Sequence, residues 1–170
     1  MQDRTVRRTL VMLVDNESGV LMRVVGLFSG RGYNIDSLTV SEVESDCRVS
    51  LITIVTSGSV KVITLIKHQL EQIVPVHWVH DATLDVDGSI EREMVMVKVV
   101  SEHDNMRSEA LRVCKVFGAK VLDMTSCSFI FELAASVGKV EDFLSLLRPL
   151  GVQFVSRTGV IAIRKGTQDW

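Results

Sequence analysis

Leu10-Val11-Met12-Leu13-Val14 is apolar at every position, and Asp15-Asn16-Glu17-Ser18-Gly19 breaks the run. Beyond the break, Val20, Leu21, Val24, Val25, Leu27 and Phe28 recur at helical spacing. The pattern predicts a buried strand, a polar turn and an amphipathic helix. From Thr9 to Asp81 the order continues as strand, helix, strand, strand, helix, strand. The strands are expected over 9–15, 33–44, 47–56 and 74–81, and the helices over 19–31 and 59–72. Gly30, Gly32 and Asn34 predict a left-handed end to the first helix. Glu44-Ser45-Asp46 fits a hairpin turn, and Ser57-Gly58-Ser59 opens the second helix.

The second half repeats this order, with strands over 94–100, 120–125, 129–134 and 151–155 and helices over 105–117 and 139–147. Arg157-Thr158-Gly159 then turns into a final strand, 160–164. Arg23-Val24 and Phe28 align with Arg112-Val113 and Phe117 at a constant offset, on the corresponding helix. The fold class is therefore α+β: two ferredoxin-like βαββαβ domains, 1–82 and 94–170, joined by a connector over 83–93. Strands 10–14 and 51–55 are apolar on both faces, whereas a sheet with one wet face alternates. That second face or the sheet edge is expected to lie under another chain, in a homo-oligomer or larger complex.

A chain 46% hydrophobic and 24% charged folds, and its net charge of −2 with no basic stripe argues against nucleic acid or anionic membrane as partner. No stretch approaches the ~20 uncharged apolar residues of a membrane span. Arg4, Arg7 and Arg8 are not followed by the apolar core of a secretory signal, so a cytoplasmic location is expected. Cys47, Cys114 and Cys127 form no CxxC pair and read as reduced, small core residues. His77 and His80 point to opposite faces of an extended segment, and no metal site is expected. Gly26, Gly30 and Gly32 sit at a helix end rather than in a phosphate loop, and no nucleophile arrangement is recognisable, so catalytic residues are expected to be absent. Gly26, mid-helix, fits close packing against a strand or a partner helix.

Asn16 and Gly19 open the first helix, where several backbone N–H groups are left unpaired. Such a turn either caps itself or receives the carboxylate of a small ligand. The longer run decides between these. Arg7-Arg8-Thr9-Leu10, Asp15-Asn16-Glu17-Ser18-Gly19-Val20-Leu21 with Arg23-Val24-Val25-Gly26-Leu27-Phe28-Ser29, and Arg31-Gly32-Tyr33-Asn34-Ile35-Asp36-Ser37-Leu38-Thr39-Val40 together resemble the small, regulatory subunits of acetolactate synthase. Ile90-Glu91-Arg92-Glu93-Met94 and Arg157-Thr158-Gly159-Val160 are similar to later parts of that family.

The resemblance implies an ACT domain followed by an ACT-like one, and no catalytic site. It implies a partner, the catalytic large subunit, which this chain would activate and subject to feedback inhibition by valine. Two ACT domains would pair as a homodimer with valine at their interface. Asn16, Glu17, Ser18, Gly19 and Val20 of one copy would contact the amino-acid backbone, and Asn34 and Ile35 of the other would close the pocket. Backbone N–H groups suit the carboxylate, the carbonyls of Asn16 and Asn34 suit the ammonium, and Ile35 offers an apolar wall. No cofactor is expected on this chain; thiamine diphosphate, magnesium and FAD belong to the catalytic subunit. Two departures stand out: Ser50-Leu51-Ile52-Thr53 replaces the family's Ser-Arg-Met-Thr, and the turn around Glu44 to Arg48 differs. The alternatives are a free-standing ACT-type amino-acid sensor and a structural assembly subunit without feedback.

Overall fold

Leu10, Met12 and Val14 share one face of strand β1 (Thr5–Asp15) and are buried with Val20, Val24 and Phe28 of helix α1 (Val20–Gly30). A computed structural model describes residues 5–43, 46–85 and 88–167, with Asp46 and Cys47 as backbone only. Strands β2 (Ser37–Val43) and β3 (Asp46–Ser59), helix α2 (Val60–Glu71) and strand β4 (Val76–Asp81) complete a βαββαβ unit. Its antiparallel sheet has the order β2-β3-β1-β4. Ile52 and Ile54 of β3 and Ile63, Ile66 and Leu70 of α2 close the core. The Ser59 hydroxyl caps α2 by accepting the Val62 N–H at 3.3 Å, as the Ser-Gly-Ser signal predicts.

Strand β5 (Ser89–Val100), helix α3 (Asp104–Phe117), strands β6 (Lys120–Met124) and β7 (Ser128–Ala135), helix α4 (Val137–Leu147) and strand β8 (Val152–Arg157) repeat the arrangement in the order β6-β7-β5-β8. Val95, Val97 and Val99 pack with Phe129, Phe131, Phe143 and Leu147. Val24 and Val113 are both buried, and Phe28 and Phe117 both pack on their own unit's core. The weak internal repeat therefore records two equivalent core faces.

Glu93 is buried on β5 and ion-paired with Arg157, which also reaches the Glu141 carboxylate at 2.5 Å. Both acids push the Arg157 guanidinium pKa further up. Burial likewise raises the Cys114 thiol pKa. After Arg157, the Thr158 N–H bonds the Met94 carbonyl at 3.0 Å, and Gly159 takes a left-handed φ of 93°.

The last strand, β9 (Ile161–Arg164), pairs with β5 as the fifth strand of the second sheet, yet its segment groups with the first half of the chain. The chain divides into one unit reaching Ile90 and resuming at Val160, and a second spanning Glu91–Gly159. The resumed segment lies on the first sheet's outer face. The Val160 N–H donates to Ser37 Oγ at 3.0 Å, and Thr39 Oγ1 donates back to the Val160 carbonyl at 3.1 Å. Ala162 packs with Val11 and Ala82, and Leu51 packs against them. Leu51, one of the departures noted in the sequence, is thus an apolar contact under the final strand.

This corrects the expectation that another chain covers that face. Val11, Thr53 and Val55 are buried by this chain alone, because an apolar pattern on both faces reports burial and not its source. Boundaries differ for local reasons. Strand β2 starts at Ser37 rather than at 33 because the Tyr33 N–H turns back to the Phe28 carbonyl (2.9 Å) while the Asp36 N–H joins Val55 (2.8 Å). Strands β1 and β3 run longer than expected, pairing out to Thr5 and Ser59. Of the expected hairpin turn, Glu44 and Ser45 lie outside the described residues.

Candidate functional site

Four residues tie down the turn after β1. The Asp15 N–H bonds the Pro75 carbonyl at 2.8 Å, and its carboxylate meets His77 Nε2 at 2.7 Å. The Asn16 N–H bonds the Arg48 carbonyl at 2.7 Å, and Asn16 Nδ2 donates to Glu42 Oε1 at 3.0 Å. Asn16 is therefore held against the end of β2. Its backbone, not its side chain, makes the first step toward the helix, and the Glu17 N–H returns to Asp15 at 2.9 Å.

Gly19 is the cap residue of α1, with φ 91° and ψ −7°. Other L-residues rarely adopt that conformation, which fits a glycine here. A Cβ added to Gly19 would meet nothing within 4 Å, so the turn opens outward at this point. No side chain caps α1, its first turn carries no acid, and the Val20 N–H reaches Glu17 only at 3.4 Å. The partly positive end of the helix thus faces an exposed turn formed by Asn16, Glu17, Ser18 and Gly19. The Val20 side chain is buried in the core, so only its backbone can serve a ligand.

Asn34 and Ile35 lie beyond the other end of α1. Its 11 residues span about 16 Å, so one chain does not bring the two sets together. Asn34 Nδ2 donates to Asp36 Oδ1 at 2.6 Å, and the Asn34 carbonyl accepts the buried Thr56 hydroxyl at 2.7 Å. Ser57 Oγ donates to the other Asp36 oxygen at 2.5 Å. Ile35 is half-buried against the first core. Glu42, Arg48 and Asp36, which orient the candidate residues, were not among those singled out by sequence. For Asp36 a signal existed, since Asn and Asp two apart favour such local bonds. For Glu42 none did. Among the described residues nothing lies within 4 Å of a Cβ built on Gly26, so no described strand packs closely on that glycine.

The exposed edge of β2 completes the geometry. The strand has seven residues, pairs only with β3 among the described strands, and leaves Val40 at its centre 48% exposed. Among the described residues no three His, Cys, Asp or Glu side chains group as a metal site, and no helix is long and apolar enough to cross a membrane.

A βαββαβ unit with an uncapped, glycine-started first helix places the first half of the chain among the ACT domains, and residues 10–77 match the sequence model of the AHAS small subunit-like ACT domain. Residues 92–166 match the model described as small subunit of acetolactate synthase. The chain is 38% identical over 162 residues to the acetolactate synthase isozyme 3 small subunit of Escherichia coli K12, covering 95% of this chain and 97% of that one. It is 36% identical over 163 residues to the probable acetolactate synthase small subunit of Archaeoglobus fulgidus, covering 96% and 99%. The crystal structure of the Thermotoga maritima acetolactate synthase small subunit matches with a TM-score of 0.80 at 32% identity, over 96% of this chain and 99% of that one. The chain belongs to the acetolactate synthase small-subunit family.

Proposed function

We propose that this chain is a regulatory subunit that binds an acetolactate synthase catalytic subunit, raises its activity and makes it sensitive to valine held between two ACT domains. One observation carries the reading: the two halves of the candidate site sit at opposite ends of α1, and the open edge of β2 can join them. Antiparallel pairing of β2 with the same strand of a second copy, centred on Val40, sets Ser37 of one copy opposite Val43 of the other. The loop before Ser37, with Asn34 and Ile35, then comes beside Glu42 of the second copy. That Glu42 holds Asn16.

In this arrangement the start of α1, whose first turn carries no acid, takes the valine carboxylate. Glu42 and Asp36 hold the amide nitrogens of Asn16 and Asn34, and the carbonyls of these amides serve the ammonium. Ile35 borders the aliphatic side chain. Tenfold inhibition requires valine to favour the inhibited arrangement by about 1.4 kcal/mol. One or two interface hydrogen bonds present in only one state supply that. Thiamine diphosphate, magnesium and FAD belong to the catalytic subunit in this reading.

Calorimetric titration of the full chain with valine tests the site. Gly19→Asp adds a carboxylate where the ligand's would sit, in open space, at a backbone strain of about 1–2 kcal/mol. Saturable valine binding that Gly19→Asp and Asn34→His abolish, with activation of the catalytic subunit retained, supports the reading. A folded Gly19→Asp chain that binds valine as before would falsify the site. Activation lost together with feedback defeats the separation of the two roles.

A further inference from the structure

Leu10, Ile63, Thr64, Lys67, Asp81 and Leu84 line a cavity of about 210 Å³ between α2 and the β1–β4 edge of the first unit. That volume equals about seven waters, room for roughly eight or nine heavy atoms. The cavity is remote from the Gly19 turn: from Leu10 to Asp15, where the turn begins, β1 runs about 17 Å. None of its lining residues has a part in the proposed ACT site.

Asp81 pairs with Leu10 in the β1–β4 register, so its carboxylate lies on the helix-bearing face. Its side chain is only 10% exposed. Asp81 Oδ1 accepts the Thr83 N–H at 3.1 Å. Its other oxygen has Arg8 Nε at 3.8 Å, an ion pair too long for a hydrogen bond. Lys67 Nζ stands 3.9 Å from Glu71 Oε1, again beyond that range. The walls therefore carry a secluded carboxylate and an ammonium with hydrogen-bonding capacity unspent on their ion-pair partners. Leu10 and Ile63 form an aliphatic floor, and Leu84 stands exposed at the rim. Each of the two charges can therefore take a further hydrogen-bonding partner.

We infer that this cavity binds the zwitterion of a small aliphatic α-amino acid, with its ammonium on Asp81 and its carboxylate on Lys67. A simple anion would face the Asp81 carboxylate, and a simple cation would face Lys67 and Arg8. A zwitterion alone answers both walls. The floor selects an aliphatic side chain, and the volume excludes an aromatic one. The site is independent of the Gly19 turn, and each chain carries a whole copy of it.

Amide NMR of the full chain, titrated separately with valine, leucine and isoleucine, tests this. At least one of the three should shift Thr64, Lys67 and Leu84, and those shifts should persist in Gly19→Asp. Lys67→Met, at a position 38% exposed, should keep the fold and weaken binding at this site at least tenfold. Asp81→Asn should do the same while preserving the Thr83 bond. Isovalerate and isobutylamine, each lacking one of the two charges, should leave these amides unmoved. The inference is overturned if none of the three amino acids shifts the cavity, if the shifts survive Lys67→Met, or if isobutylamine reproduces them. Shifts confined to Gly19 and Asn34 overturn this site and uphold the ACT interface; shifts confined to the cavity do the reverse.

Discussion

Helix α1 begins on a left-handed glycine with no acid in its first turn, whereas α3 begins on the extended His103 and places Asp104 there. The two helices occupy equivalent places in units of the same topology. In the second unit the chain supplies its own carboxylate to the positive helix end. In the first it does not. The free edges differ in the same sense. Strand β2 runs seven residues with its only register shift at the last pair. Strand β6 has five residues, is bulged between Val121 and Asp123, and bears Lys120 and Asp123. A short, bulged, charged edge resists pairing, and a longer regular one invites it. One topology thus carries two different helix starts and two different strand edges, set by a few residues at each.

The contrast can be broken most strongly at the covered outer face. Ending the chain after Gly159 uncovers Val11 and removes Val160, which should destabilise the first unit by roughly 3–6 kcal/mol. Hydrogen exchange should then show protection lost at Thr53 and Val55 and retained at Val95 to Val99. Arg157→Met strikes the second unit instead. It strands the buried Glu93 carboxylate, at a loss of about 3–5 kcal/mol, and the Val95 and Val97 amides should become the ones that exchange.

Val40→Glu addresses the edges. Two carboxylates would meet at the proposed two-fold axis and weaken the dimer tenfold or more, about 1.4 kcal/mol. Sedimentation should show dissociation together with loss of valine binding, whereas Leu122→Glu on β6 should change neither. The smallest effect sharpens the comparison of helix starts. Met22→Asp gives α1 the acid that α3 already has, at a position 72% exposed. It should stabilise the fold by about 0.3–1 kcal/mol and weaken valine binding a few-fold.

The topology was legible because turn residues and periodicity agree at nearly every junction, from Gly32 after α1 to Ser59 before α2. The Asn16–Val20 turn was legible as a motif, and its glycine adopts the backbone that only glycine takes readily. The source of cover for Val11 and Val55 was not legible. Periodicity tells that a side chain is buried, and it is silent about which distant segment buries it. The Asn16–Glu42 bond was hidden for the same reason, since nothing local in either segment announces the other. The carboxylate of Asp81 read as an ordinary strand end, and only the register that sets it beside Leu10 turns it toward a cavity.

The return of Val160 to Ser37 and Thr39 also sets an order of events during synthesis. The first unit is discontinuous: residues 91–159 intervene before the strand that seals its outer face. At translation speeds of 5–20 residues per second, that stretch takes on the order of ten seconds to emerge. Through that interval Val11, Thr53 and Val55 await their cover. The first unit is therefore the last part of the chain to be finished, although its opening strand is among the first parts made.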